Sequence, residues 1–264
     1  SSSLNSACSS VTESNNMFIF SGGSSDTAIF RNSNYLFGTL PGGVRYVSAV
    51  FELLDDLGAQ TVAVFRDSNY PSCDDAAISG AEIITNVTVY DIYDLDVNSP
   101  LYKEQLLAIL LQLKLNGVET VYGCSYSTMC IELPSLARSI NYNPNAILFT
   151  SCLSSSSVLQ SLGEDSHYLF AVTPWTPTNQ IVDKYTGWTA EEFSQKYTTM
   201  YNTAPTYHAA STFAAAESLV IALEKCQCIN DTQALLTTLE NTYFETFYAN
   251  FTYNNDHQAV FKMA

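Results

Sequence analysis

The middle of this chain alternates between short apolar runs and amphipathic helical patterns, and this alternation is the feature that most limits its possible folds. Apolar residues recur at helical spacing over 44–57 and over 101–115. The apolar runs that predict strands are Thr61–Arg66, Val87–Ile92, Glu119–Gly123, Ala146–Thr150 and Tyr168–Val172. Strands that alternate with helices form βαβ units. The sequence therefore predicts an α/β fold with a parallel sheet covered by helices.

The carboxyl ends of these strands are the places where such a sheet binds ligands. The rule selects the loops that follow Arg66, Gly123 and Thr150. An aromatic residue lies in each of the first two loops, Tyr70 and Tyr126, and Ser125 and Ser127 flank the second. Either ring could instead be an ordinary surface or half-buried tyrosine, since the chain has 17 of them.

Two consecutive helices are predicted in the last third of the chain. Thr189 and Glu192 have the spacing of a capping box, so the first helix begins near residue 190. The second begins near Tyr207 and is apolar on almost every side, which is typical of a helix packed between other elements.

The residues of this helix pair resemble those of a known superfamily. The pattern consists of Phe193, Tyr197, Tyr201, Pro205, Tyr207, Ala209 and Ala210. It is similar to that of the type I periplasmic-binding-protein superfamily, which includes the branched-chain amino-acid-binding proteins and the extracellular domains of natriuretic-peptide and glutamate receptors. The resemblance implies a two-lobed Rossmann-like fold with parallel sheets flanked by helices, closing around a ligand.

The resemblance also implies a division of the chain into lobes. The first lobe would comprise 1–43 and 177–251 and would be incomplete at its N-terminus, where about two βα units of the family have no counterpart. The second lobe and the crossings would comprise 44–176 and 252–264. The crossings are expected near 41–44, 174–178 and 250–254.

Six ligand-binding residues follow from the same resemblance. In the first lobe they are Ser1 and Ser2 at a helix start, and Ser24 and Ser25 in the loop SGGSSDT, although such a loop could also be an ordinary linker. In the second lobe they are Tyr70 and Tyr126. Pro71 stands where the family has glycine. The ligand implied is small and polar.

The loop after Ala146–Thr150 departs from the family of amino-acid binders. The family has an acidic residue there that receives the ammonium group of the ligand, whereas this chain reads SCLSSSS over 151–157. A buried ammonium group without a charged partner costs several kcal/mol. We therefore expect a ligand other than an α-amino acid held in the usual way.

Composition limits the partners and the compartment. A net charge of −16 argues against nucleic acid or an anionic membrane surface as a partner, and no apolar run is long enough to span a membrane. Seven cysteines and the sequons at Asn86, Asn230 and Asn250 favour an extracellular or secreted glycoprotein. Cys124 and Cys152 end neighbouring predicted strands and are disulfide candidates, either as one bridge or as separate thiols.

No catalytic or metal-binding pattern occurs in the sequence. There is no G-x-S-x-G, phosphate-binding glycine loop or H-E-x-x-H motif, so we expect neither an enzyme nor a cofactor or metal. The main interpretation is the ligand-binding sensor domain of a membrane receptor in signal transduction. The alternatives are a solute-binding protein of a transporter, or a structural or assembly glycoprotein that keeps the fold without a ligand. A homodimer or an assembly partner is possible in each case.

Overall fold

The computed structural model describes residues 2–31, 33–70, 72–73, 86–150, 152–167 and 169–261, with the backbone alone for residues 2 and 3. The chain divides into two compact units. Unit 1 comprises Ser1–Gly42 and Pro174–Ala264, and unit 2 comprises Gly43–Thr173. None of the described helices is both long and apolar enough to cross a membrane.

Unit 2 is built on a parallel sheet of five strands in the order β4-β3-β5-β6-β7. The strands are β3 (Thr61–Asp67), β4 (Thr88–Leu95), β5 (Thr120–Cys124), β6 (Ala146–Thr150) and β7 (Leu169–Val172). The helices of this unit whose ends lie within the described residues are α2 (Gly43–Asp56), α3 (Tyr102–Leu115), α4 (Ser127–Ser139) and α5 (Ser156–Leu162). The parallel sheet with flanking helices predicted from the strand and helix periodicity is confirmed.

The helices of unit 2 form because apolar residues recur every three or four positions. In α2 this spacing buries Val47, Val50, Phe51 and Leu54 on one face. Gly58 follows with φ of +72°, a conformation that an L side chain rarely adopts and that ends the helix. Strand β5 is buried along its whole length, as expected of a central strand in a sheet covered on both sides.

Unit 1 has short strands of two to four residues, and one of its helices has 20 residues. Its helices are α1 (Ser2–Asn15), α6 (Ala190–Tyr201), α7 (Tyr207–Cys226) and α8 (Thr232–Glu240). Its strands are β1 (Ile19–Ser21), β2 (Leu36–Gly38), β8 (Phe244–Glu245), β9 (Asn250–Tyr253) and β10 (Ala259–Val260). In the described residues β1 and β2 form a parallel pair, and β8, β9 and β10 form an antiparallel sheet.

The capping box predicted at the start of α6 is confirmed. The Thr189 hydroxyl accepts a hydrogen bond from the backbone N–H of Glu192, and the Glu192 carboxylate accepts one from the Thr189 N–H. Asn202 ends the helix in a left-handed conformation. The core of unit 1 is then filled largely by aromatic rings, among which Phe247 contacts Phe193, with ring centroids 4.4 Å apart.

The expected assignment of 252–264 to the second lobe is corrected by the structure. Strand β9 pairs with β8 and with β10, and Tyr253, Ala259 and Phe261 lie in the core of unit 1. The reason is a tight turn after β9, in which the N–H of Asn254 donates to the carbonyl of Gln258. The chain therefore folds back onto unit 1. The boundaries between the units fall after Gly42 and after Thr173.

Candidate functional site

Asp67 organises the loop that follows β3 in unit 2. Its carboxylate is fully buried and accepts hydrogen bonds from the N–H and the side-chain amide of Asn69. It also accepts one from the hydroxyl of Ser125, at 2.8 Å, which links the loop after β3 to the loop after β5. A carboxylate that accepts a hydrogen bond from the backbone two residues later makes a tight turn. This turn places Tyr70.

Tyr70 and Tyr126 meet at the carboxyl edge of the sheet. Their ring centroids are 4.4 Å apart and the rings are inclined by 68°, which is an edge-to-face arrangement. Tyr126 remains 53% exposed. Partial burial, and then the neighbouring Tyr70, raise the pKa of the Tyr126 hydroxyl, so it stays neutral and can donate a hydrogen bond. The structure thus brings together the two aromatic residues that the sequence singled out.

Two disulfides lie at this same edge of unit 2, and their pairing differs from the bridge considered between Cys124 and Cys152. Cys124 is bonded to Cys73, and Cys152 is bonded to Cys130. The register of the sheet explains the first bridge, because Cys124 lies opposite Arg66, and the loop that follows Arg66 carries Cys73. Cys130 lies in α4 and joins that helix to the residues after β6.

The loop after β6 carries hydroxyl groups and no acid. Its described residues, 152–157, are a cysteine, a leucine and four serines, and Ser151 lies outside the described residues. The hydroxyls of Ser155 and Ser157 are hydrogen-bonded to each other at 2.8 Å. The fully buried carboxylate of Asp67 does not substitute for the acid, because one of its oxygens already accepts hydrogen bonds from Asn69 and the other accepts one from Ser125.

The serine loop of unit 1 follows β1 and is held by a residue that the sequence reasoning missed. The side-chain amide of Asn5 in α1 donates hydrogen bonds to the hydroxyls of Ser21, at 2.6 Å, and Ser24. Ser24 is fully buried and Ser25 is half-buried. Ser1 lies outside the described residues, and only the backbone of Ser2 is described, at the start of α1.

Glycine lets this loop lie against α7. A Cβ built on Gly22 would come within 2.4 Å of the backbone nitrogen of Thr212, so a side chain at this position would collide with the helix. Thr39 strengthens the same region, since its hydroxyl donates to the carbonyl of Ser211 in α7 at 2.8 Å. The loop therefore has a defined position within unit 1.

Asn5, Asp67 and Ser125 could have been found only in part from the sequence. The D-x-x-Y spacing of Asp67 and Tyr70 is visible there, but the contact with Ser125 joins residues 58 positions apart. The sequon asparagines Asn86, Asn230 and Asn250 are exposed, which leaves the glycosylation prediction open. Among the described residues no cluster of His, Cys, Asp or Glu side chains is arranged to hold a metal ion.

Comparison with known proteins agrees with this architecture. The family described as periplasmic binding protein matches residues 1–264. The leucine-binding protein LivK of Thermotoga maritima is 15% identical with a TM-score of 0.77, and the match covers 97% of this chain and 71% of that one. The branched-chain amino-acid-binding protein LivJ of Streptococcus pneumoniae, solved with isoleucine, is 14% identical with a TM-score of 0.80. The match covers 97% of this chain and 70% of that one.

A third similar structure contains a different kind of ligand. It is a solute-binding protein of an ABC transporter from R. palustris, in complex with benzoate, and it is 12% identical with a TM-score of 0.75 over 96% of this chain and 68% of that one. At these identities the similarity establishes the fold. Because the family match extends over every residue, this chain belongs to the periplasmic binding protein family and has its type I fold.

Proposed function

We propose that this chain is a solute-binding protein that delivers a small polar ligand to a transporter. The observation that carries the proposal is the family match over residues 1–264, together with similar structures that serve transporters. Membership of this family also favours an extracellular or periplasmic location. The transporter alternative is favoured over the receptor sensor that was expected from the sequence, because the similar structures belong to transporters.

Each unit, taken by itself, presents groups that are suited to a small ligand. In unit 2 the exposed edge of the Tyr126 ring, supported by Tyr70, offers an apolar surface with a neutral hydroxyl at its tip. In unit 1 the half-buried Ser25 is the candidate donor, because the hydroxyl of Ser24 is buried against Asn5. Aromatic rings and a small number of polar groups are typical of small-molecule sites.

The groups present favour a ligand without an ammonium group. The described residues of the loop after β6 carry hydroxyls, and the carboxylate of Asp67 is buried and already hydrogen-bonded. A cationic amine would have no ionised partner among these groups, whereas serine hydroxyls can donate to a carboxylate. We therefore propose a small carboxylate with an apolar or aromatic body, for which benzoate is the first probe.

Isothermal titration calorimetry of the purified protein with benzoate and with leucine tests this proposal. We expect benzoate to bind and leucine to bind at least about 100-fold more weakly, since an unpaired buried ammonium group costs several kcal/mol. Leucine binding as tightly as benzoate would contradict the ligand class. A protein that binds neither probe, and carries no small-molecule mass in native mass spectrometry after purification, would contradict solute binding itself.

Matched tyrosine variants locate the contact. Tyr126→Ala should weaken benzoate binding about tenfold, because an aromatic contact contributes roughly 0.5–1.5 kcal/mol beyond its buried area. Tyr243→Ala is the control, since Tyr243 is comparably exposed, at 56%, and belongs to unit 1 outside the serine loop. Equal loss of affinity in both variants would argue against a role for Tyr126 in the site.

The exposed sequons support a second candidate function, the sensor domain of a membrane receptor. Asn230 lies in a turn and Asn250 at the start of β9, and both are exposed. Production in a secretory eukaryotic cell, followed by treatment with peptide-N-glycosidase, should remove glycan mass from both sites if this candidate is right. Absence of glycan from both asparagines would favour the transporter protein.

A further inference from the structure

The Cys73–Cys124 disulfide links the two chain segments that lead to the tyrosines of the candidate site. Tyr70 precedes Cys73 by three residues, and Tyr126 follows Cys124 by two. Both cysteines are buried, at 3% and 4% exposure, whereas Tyr126 projects outward. The two rings are therefore attached by very short segments to one buried covalent bond.

The segment on the Tyr70 side is wound into turns. The N–H of Tyr70 donates to the carbonyl of Asp67, and the N–H of Cys73 donates to the carbonyl of Tyr70. The backbone of Tyr70 is therefore hydrogen-bonded both to the last residue of β3 and to the cysteine of the disulfide. The position of the Tyr70 ring is thus set at one end by the sheet and at the other by the sulfur of Cys73.

The segment on the Tyr126 side is equally short. Cys124 is the last residue of β5, where it pairs with Arg66 of β3, and Ser125 donates to Asp67. Tyr126 is the residue that precedes α4, so its backbone lies between a strand and a helix. The disulfide consequently connects the loop that contains Tyr70 to the end of β5, two residues before Tyr126.

The ring contact alone is too weak to hold this geometry. An edge-to-face pair is a weak interaction, and about half of the Tyr126 side chain faces solvent. Without the bridge, the turn after β3 would keep its attachment at Asp67 and lose the attachment at Cys73. The ring of Tyr70 would then sample several positions.

We propose that the Cys73–Cys124 disulfide is a positioning element of the ligand site, which holds the Tyr70 and Tyr126 rings in contact and so preorganises the surface that the ligand meets. The effect on ligand binding rests on the function proposed above. The effect on the rings does not, because it concerns the free protein. Apparent affinity falls in proportion to the fraction of molecules in the competent arrangement.

The experiment places a fluorine reporter on one ring. Tyr126→3-fluorotyrosine, introduced by codon reassignment, gives a single fluorine resonance whose chemical shift depends on the neighbouring Tyr70 ring. In the bridged protein, adding Tyr70→Leu should move this resonance. In the Cys73→Ala/Cys124→Ala background the same substitution should leave it almost unmoved, because the rings are already apart.

Removal of the other bridge of unit 2 is the matched control. Cys130→Ala/Cys152→Ala deletes a disulfide from the same unit and keeps Cys73–Cys124. The response of the resonance to Tyr70→Leu should persist in this background. If the response were also lost without Cys130–Cys152, any loosening of unit 2 would separate the rings, and the proposal would be wrong. The proposal would also be wrong if the response persisted after removal of Cys73–Cys124.

A second variant keeps the test decisive if the protein without Cys73–Cys124 does not fold, as judged by far-ultraviolet circular dichroism. Asp67→Asn retains the bridge and alters the other attachment of the loop, and the response to Tyr70→Leu should persist. Its disappearance while the bridge is intact would contradict the proposal.

Ligand binding is measured separately with benzoate on the same variants. Removing Cys73–Cys124 should weaken benzoate binding about tenfold if the rings are in contact in roughly a tenth of the molecules, whereas removing Cys130–Cys152 should change it less than threefold. Failure of the wild-type protein to bind benzoate would count against the proposed ligand class. The fluorine response would still decide the role of the bridge.

Discussion

The two units hold their candidate binding loops by different means. In unit 2 a disulfide joins the loop after β3 to the end of β5, and the buried Asp67 accepts a hydrogen bond from the loop after β5, on a parallel sheet of five described strands. In unit 1 the loop after β1 is held by hydrogen bonds from Asn5 and by the close approach of Gly22 to α7, beside a core rich in aromatic rings. Covalent bonds thus stabilise the loops on the larger sheet, and close packing stabilises the loop on the smaller one.

The aromatic core should dominate the stability of unit 1. Phe247 is fully buried among Trp175, Phe193 and Phe213, with ring centroids within 6.5 Å of its own. Phe247→Ala should lower the free energy of unfolding by about 4 kcal/mol, because it leaves a cavity where a large ring was. Both tryptophans of the chain, Trp175 and Trp188, belong to unit 1, so tryptophan fluorescence in urea measures this loss.

Phe149→Ala is the matched control, since Phe149 is fully buried in the core of unit 2. Phe149→Ala should shift the urea unfolding transition detected by far-ultraviolet circular dichroism. It should leave the unfolding transition detected by tryptophan fluorescence nearly unchanged. If both substitutions shifted the unfolding transition detected by tryptophan fluorescence equally, the two units would unfold as one. Their stabilities could then not be compared separately.

The disulfides should contribute most to unit 2. Removing Cys130–Cys152, which closes a sequence separation of 22 residues, should cost about 3 kcal/mol through the greater freedom of the unfolded chain. The measurement is urea unfolding of Cys130→Ala/Cys152→Ala followed by circular dichroism. Cys226→Ala/Cys228→Ala removes a bridge between residues two apart and should cost much less. A larger loss from this second pair would refute the loop-length argument.

Close packing at the serine loop should be sensitive to a single methyl group. Gly22→Ala places a Cβ against the backbone of Thr212, so the loop or α7 must move, and we expect a loss of about 2 kcal/mol from the tryptophan-detected unfolding free energy. Ala28→Ser, at an exposed position shortly after the loop, is the control and should change it by less than about 0.5 kcal/mol. A neutral effect of Gly22→Ala would mean that the hydrogen bonds of Asn5 and Thr39, and not close packing against α7, hold the loop.

Unit 1 also contains a buried carboxyl group that should make its stability depend on pH. The Glu217 carboxyl is buried close to Asp183, and the Asp183 carboxylate accepts hydrogen bonds from the N–H groups of Tyr185, Thr186 and Phe247. Burial, and then Asp183, raise the pKa of Glu217 to about 9 from 4.5. The folded protein therefore keeps a proton that the unfolded chain releases.

The contribution of the protonated Glu217 carboxyl to the free energy of unfolding is fully present below about pH 4.5, and it declines as the pH rises towards 9. Glu217→Gln removes this titrating group. The free energy of unfolding of the variant, relative to that of the wild-type protein, should therefore rise by about 1 kcal/mol per pH unit between pH 6 and 8. Urea unfolding detected by tryptophan fluorescence at several pH values measures the difference. Glu224→Gln is the control, because Glu224 is exposed. A difference that does not vary with pH would contradict a protonated Glu217.

The sequence by itself determined the elements that depend on neighbouring residues. Helical spacing of apolar residues in α2 and the Thr189–Glu192 capping box are local patterns, and so the helices appear where they were predicted. The same is true of β3, β5 and β6, whose apolar runs are continuous because both faces of a central parallel strand are buried. From these elements the family fold could be recognised.

Tertiary structure alone decided how distant residues meet. The choice of Cys73 rather than Cys152 as the partner of Cys124 depends on sheet register, and the hydrogen bond between Asp67 and Ser125 depends on two strands lying side by side. The return of β10 onto β9 likewise placed 252–261 in unit 1, against the expectation. These contacts span long stretches of chain, and their geometry is settled by packing, which no local pattern encodes.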